Sequence, residues 1–108
     1  MPQERKPSYY DVGYALASAT ITNGTTIITT TAGAYHGLAI LATSAGATIR
    51  LYDSLSAATG KILDIITIAA NTSDRHDNFI PVQARVGIVA FVTLGTGMQG
   101  TVFFAPKG

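Results

Sequence analysis

Hydrophobic and polar positions alternate with a period of two over much of the chain, and that period predicts strands. It is clearest at residues 48–52, where Ile49 and Leu51 share one face and Thr48, Arg50 and Tyr52 the other. Residues 15–22 read as a short strand of small side chains. Asn23-Gly24 follows with the strongest hairpin signal in the sequence, because both residues tolerate positive φ. The β-branched run TTIITTT at residues 25–31 reads as the returning strand, since branching at Cβ restricts χ1 in a helix. Residues 35–43 make the next strand, and Gly46 turns the chain into 48–52. A small polar loop, DSLSAATG, covers residues 53–60.

Residues 61–68 are apolar at both parities, Asp64 excepted, so the pattern leaves their facing open. A helix there is the alternative; short length and three β-branched isoleucines at 65, 66 and 68 favour a strand. Residues 69–78 read as the most polar loop. In residues 79–86, Ile80, Val82, Ala84 and Val86 fall on one face and Gln83 and Arg85 on the other. Pro81 removes one ladder donor, which predicts an edge strand or a bulge. Residues 88–94 are apolar on both faces, as expected of a central strand. Gly95, Gly97 and Gly100 read as a glycine-rich hairpin leading into a last strand at 101–105. About eight short strands with turn signals roughly every ten residues predict an all-β antiparallel sandwich or barrel. No helix longer than two turns and no repeat of fixed period appears. Residues 1–12, with Pro2 and Pro7, read as an extended N-terminal arm, and residues 13–108 as one β-sandwich domain.

Composition sharpens this picture in one respect. Charged residues are 12% of the 108, about half the usual share, and the net charge is +1. At 47% hydrophobic the chain is not disordered by composition. There is no basic footprint for nucleic acid, no apolar run of the roughly 18 residues a membrane helix needs, and no cysteine for a disulfide or thiolate metal site. The amino-terminal residues lack the apolar core of a signal peptide. The charges are unevenly placed. Glu4, Arg5 and Lys6 sit on the arm, none falls between Asp11 and Arg50, and none between Arg85 and Lys107. A monomer with a threonine-rich surface is one explanation. A subunit whose uncharged faces are covered by neighbours is the favoured one, since charge is depleted at interface cores. Thr25, Thr26, Ile28 and Thr30 are the candidate subunit-packing residues, because that segment is uncharged. Arg5, Lys6, Tyr9, Tyr10 and Tyr14 are the candidate partner-binding residues of the arm.

Candidate chemistry is sparse. Residues 95–100 match G-x-G-x-x-G, but only eight residues follow, with no helix to meet a pyrophosphate. Asp74, His76, Asp77 and Asn78 are the only cluster of potential metal ligands, without the spacing or glycine of a calcium loop; a solvated loop is the simpler reading. Asp74 with Arg75, or Asp77 with Arg85, would form weak surface pairs. No nucleophile elbow is present, and two histidines with six acids leave little for acid–base work, so no enzyme and no cofactor is expected. Asn23-Gly24-Thr25 and Asn71-Thr72-Ser73 are formal glycosylation sequons that read as turns. Tyr35, Tyr52, Phe79, Phe91, Phe103 and Phe104 are expected in the core.

The segments AYHGLAILATSAGATIRLYDS, SAATGKILDIITI, ANTSDRHDNF and VGIVAFVTLGTGMQGTVFF together resemble small bacteriophage virion proteins. The likeness runs from about residue 33 to 104 and lies in patterns of residue type. It implies a single jelly-roll-like sandwich and a structural role as a capsid decoration, or cement, protein. Such a protein would be a homo-oligomer, a trimer by expectation, bound to the phage major capsid protein. It would be made in the host cytoplasm, reside on the capsid surface, and touch neither nucleic acid nor membrane. The rival readings are a phage fibre or tail module that binds host-surface glycan near Tyr52 or residues 69–78, and a small hydrolase or metal-binding protein.

Overall fold

The computed structural model describes residues 17–93 and 98–106. The arm assigned to residues 1–12 lies outside them. Among the described residues there is no helix, and eight strands follow in chain order: β1 (Ala17–Ile21), β2 (Gly24–Thr29), β3 (Gly33–Leu41), β4 (Ala47–Asp53), β5 (Lys61–Ile68), β6 (Ser73–Ala84), β7 (Ile88–Thr93) and β8 (Gln99–Pro106). They form two four-stranded antiparallel sheets. The front sheet has the order β1-β8-β3-β6 and the back sheet β2-β7-β4-β5.

The pairs β1·β8, β2·β7, β3·β6 and β4·β5 are nested, as if one long hairpin had been rolled up. The additional pairs β3·β8 and β4·β7 join the nested ladders into sheets. This is the jelly roll, with its two interlocked Greek keys. Only β4 and β5 are neighbours in both sequence and sheet. Two expected hairpins are therefore corrected. Asn23-Gly24 carries the chain from the front sheet to the back, and β7 and β8 likewise lie in different sheets. A turn sequence fixes a local reversal; it does not determine whether the flanking strands pair or part. Gly24, at φ 93°, still supplies the left-handed backbone that the corner needs.

The core lies between the sheets. Ile49 and Leu51 are fully buried, as their alternation predicts, and Ile21, Leu38, Ile66, Ile88, Val92, Val102 and Phe104 join them. Each such side chain contributes roughly 1.5–3 kcal/mol of burial. Among the described residues no polar or charged residue is fully buried. The aromatic expectation holds for Tyr35 and Phe104 and fails for Tyr52, Phe91 and Phe103, which are only half-buried.

Two bulges account for what periodicity leaves open. In β5, Leu51 faces Asp64 and Tyr52 faces Ile62, so Leu63 is an extra residue. Leu63 packs in the core beside the inward Asp64, which explains why the strand is apolar at both parities. In β6, Tyr35 faces Val82 while Gly37 faces Asp77, so residues 78–81 bulge opposite His36. The strand is an edge of its sheet, as Pro81 predicts. The bulge breaks the expected face of residues 79–86: Ile80 is 78% exposed while Ala84 is fully buried. The expected polar loop at 69–78 also shortens, because β6 already begins at Ser73.

Candidate interaction surfaces and polar sites

The outer faces of the two sheets differ in chemistry. On the back sheet, register places outward residues in rows. One row is Thr25, Phe91, Arg50 and Ile65; the next is Ile27, Val89, Tyr52 and Ile62. A third holds Thr93, Thr48 and Thr67, with the last two hydroxyls 3.2 Å apart. Ile27, Ile62 and Ile65 are each about half exposed, at 51%, 45% and 47%. Val89 is fully buried yet stands apart from the core between the sheets. Its flanking neighbours in the row are Ile27 and Tyr52. Arg50 is the only charged residue in these rows and makes no ion pair among the described residues.

The front sheet's outer face is more polar, with Leu41 and Phe103 as its large apolar side chains. Ser18, Thr20, Gln99, Arg75 and Asp77 are exposed on it, around half-buried Ala39 and Thr101. The Arg75 guanidinium lies over the Phe103 ring at 5.4 Å from its centroid and pairs with Asp77 at 2.9 Å. This pair replaces both surface pairs expected from sequence. The Asp74 carboxylate instead accepts from the Arg75 backbone N–H at 2.7 Å. An open depression of about 460 Å³ lies here, lined by residues 39–41, 73–75 and 99–101, so that Ser73, Asp74, Arg75, Gln99 and Thr101 meet the apolar Ile40 and Leu41.

The sequence-expected packing residues divide. Thr25 is exposed on the back sheet's outer face; Thr26 is half-buried at the opposite parity; Ile28 packs against this chain's own core; and Thr30 is exposed in the turn after β2. Ile28 is therefore corrected from a contact residue to a core-packing one. The outward residue is its neighbour Ile27, which shares the parity of Thr25 and pairs with Val89. Arg5, Lys6, Tyr9, Tyr10 and Tyr14 lie outside the described residues.

A polar cluster that sequence reasoning missed ties the sheets together. Tyr35 on β3 donates its hydroxyl proton to Asp64 Oδ2 on β5 at 2.7 Å. His76 Nδ1 on β6 lies 2.8 Å from the same oxygen. A carboxylate only accepts, so Nδ1 carries the hydrogen. Burial, together with the adjoining Asp64 carboxylate, pushes the Tyr35 phenol far above its ordinary value. The phenol therefore stays protonated as a donor and is no nucleophile. No serine or threonine hydroxyl bonds to His76 among the described residues, so the cluster offers no triad. It acts as a bolt across the β5/β6 side of the sandwich. Its sequence signal was Asp64, the single charge within an apolar strand. Among the described residues no group of three or more His, Cys, Asp or Glu could hold a metal.

A second polar device lies at the end of β4. The Asp53 carboxylate accepts from the backbone N–H groups of Arg85 and Val86, both at 2.9 Å, and of Gly87 at 3.4 Å. Desolvation works to raise its pKa, but the three N–H donors, with the Lys61 charge, outweigh it and hold the carboxyl below its ordinary range. Asp53 thereby fastens the β6–β7 turn. No family model, curated protein or solved structure matches the chain.

Proposed function

We propose that this chain is a structural virion protein, a capsid decoration or cement protein that binds the outside of a phage head. The observation that carries the reading is the apolar outer face of the back sheet with its lone arginine. A surface of that kind is suited to contact with protein. The jelly roll adds an analogy at the level of fold, since the architecture recurs in viral capsid proteins. The work is mechanical, with no catalytic step and no cofactor. Copies of the chain contact one another and the phage major capsid protein, with Arg5, Lys6, Tyr9, Tyr10 and Tyr14 of the arm reaching neighbouring shell subunits. Modest contacts repeated by symmetry hold through avidity. The protein is made in the host cytoplasm and resides on the capsid surface.

The depression beside Arg75 favours a second reading, a fibre or tail module that binds host-surface glycan. Hydroxyl, amide, carboxylate and guanidinium groups meet there beside the apolar Leu41.

The two are separated on purified particles of the parental phage. Labelled antibody against the chain is expected to decorate heads at many symmetry-related positions, and the isolated protein to bind no sugar on a glycan array. Label confined to the tail, or absent from particles, overturns the cement reading. Deleting residues 1–10 is expected to leave the circular dichroism spectrum of the sandwich intact and to lower head occupancy; undiminished occupancy removes the arm's role.

A further inference from the structure

We infer that the outer face of the back sheet is the seat of a second copy of this chain, packed face to face about a two-fold axis. The inference deepens the cement reading by naming its self-contact, and it rests on that reading only for its purpose. The axis lies in the plane between the two copies, perpendicular to the strands, at the level of Leu51 and Ala90, which face each other in register.

Three properties of the face select this occupant. The first is shape. The operation turns each sheet end for end, so the row containing position 50 of one copy lies over the row containing position 52 of the other. Phe91 then stands over the partner's Val89. Val89 is fully buried and offers no surface of its own, so the ring's contacts there are with the row neighbours Ile27 and Tyr52, and the reciprocal contact is identical. Ile65 stands over the partner's Ile62, and Thr25 over the partner's Ile27, so half-exposed isoleucines at both edges gain cover.

The second property is charge. Arg50 and Tyr52 are two residues apart on the same face of β4. The axis sets the Arg50 guanidinium over the partner's Tyr52 ring, twice per pair, and keeps the two arginines on different rows. An arginine with no ion pair among the described residues thereby gains a ring face that attracts a cation. An acidic partner would answer Arg50 but would leave the isoleucine and phenylalanine surface without its match.

The third property is area. Four strands at about 4.8 Å and the two rows that the axis superposes give a contact of roughly 20 Å by 14 Å. Pairing buries somewhat under about 1,000 Å² over both copies, the weak end of specific association. The pair is therefore expected to form reversibly at micromolar or higher concentration, and to be reinforced where a shell holds copies side by side.

Sedimentation velocity of the full chain across a concentration series tests the inference. A monomer–dimer equilibrium is expected, with the dissociation constant raised at least tenfold by Ile65→Lys and unchanged by Ile80→Lys, which alters an exposed isoleucine on the β6 bulge. Registry is read by cross-linking. The chain has no cysteine, so a mixture of Ile62→Cys and Ile65→Cys chains reports without background. Mixed 62–65 disulfides are expected to form faster than like pairs. A chain that stays monomeric at several hundred micromolar, a trimer, insensitivity to a folded Ile65→Lys, or faster like-pair cross-links each overturns the two-fold pairing. Head labelling on parental particles reads the cement function separately, so loss of one reading leaves the other standing or fallen on its own result.

Discussion

Replacing Tyr35 with Phe removes one oxygen from a fully buried ring and leaves the packing volume almost unchanged. The lost bond is a phenol donating to a carboxylate at 2.7 Å, a charge-assisted contact that bridges β3 and β5. Hydrogen bonds to charged groups contribute about 1.5–3 kcal/mol net. Asp64 retains His76 at 2.8 Å and the Ile65 backbone N–H at 2.8 Å, and its side chain is 18% exposed, so water replaces part of what is lost. The expected cost is therefore at the low end, about 1–2 kcal/mol. For a chain of this size that is a fall in Tm of roughly 5–15 °C. Urea unfolding monitored by circular dichroism should show a lower midpoint with an unchanged m value. Asp64→Ala should cost more, because it leaves the buried phenol without an acceptor. In a double-mutant cycle the two changes should be clearly non-additive. A Tyr35→Phe midpoint equal to that of the parent, with additive free energies in the cycle, would refute the bolt.

The Asp53 clamp predicts an acid dependence. Its carboxyl sits below the ordinary range when folded, so its contribution is complete above a pH of about 4 and is lost as pH falls through the folded value. Asp53→Asn should destabilise at neutral pH by about 1 kcal/mol, the partly exposed site tempering the effect, with the difference from the parent narrowing toward pH 2 in urea titrations. At Gly87 an added Cβ would lie 2.5 Å from the Ser54 carbonyl oxygen and 2.6 Å from that of Thr29. Gly87→Ala should therefore cost several kcal/mol or abolish cooperative unfolding, a loss calorimetry would detect directly.

The pattern of residues was sufficient for much of the fold. Strict alternation at 48–52 named Ile49 and Leu51 as core, and Pro81 named an edge strand or a bulge, because each signal depends on one strand's own backbone. Low charge, read along the chain, agrees with outer rows of the back sheet that hold one charged residue, Arg50. Pairing was beyond that reach. Whether Asn23-Gly24 makes a hairpin or a corner depends on β7 and β8, more than sixty residues away, which compete for the same strand edges. Pro81 pointed to a bulge at residues 78–81 without its size, and the one at Leu63 was invisible, since one unpaired residue leaves composition untouched and reverses every facing beyond it. Ile27 and Ile28 divide by ordinary alternation, Ile28 packing against the core and Ile27 standing on the surface. The polar sites depended on pairing: Tyr35, Asp64 and His76 lie on three strands and meet because nested pairing and a bulge bring them to one side of the sandwich. Sequence determined which residues avoid water and which strands they form. Tertiary structure decided which of those strands touch, and so which apolar side chains face the core and which remain on the outer sheet face, because register and sheet membership are set by contacts between distant segments.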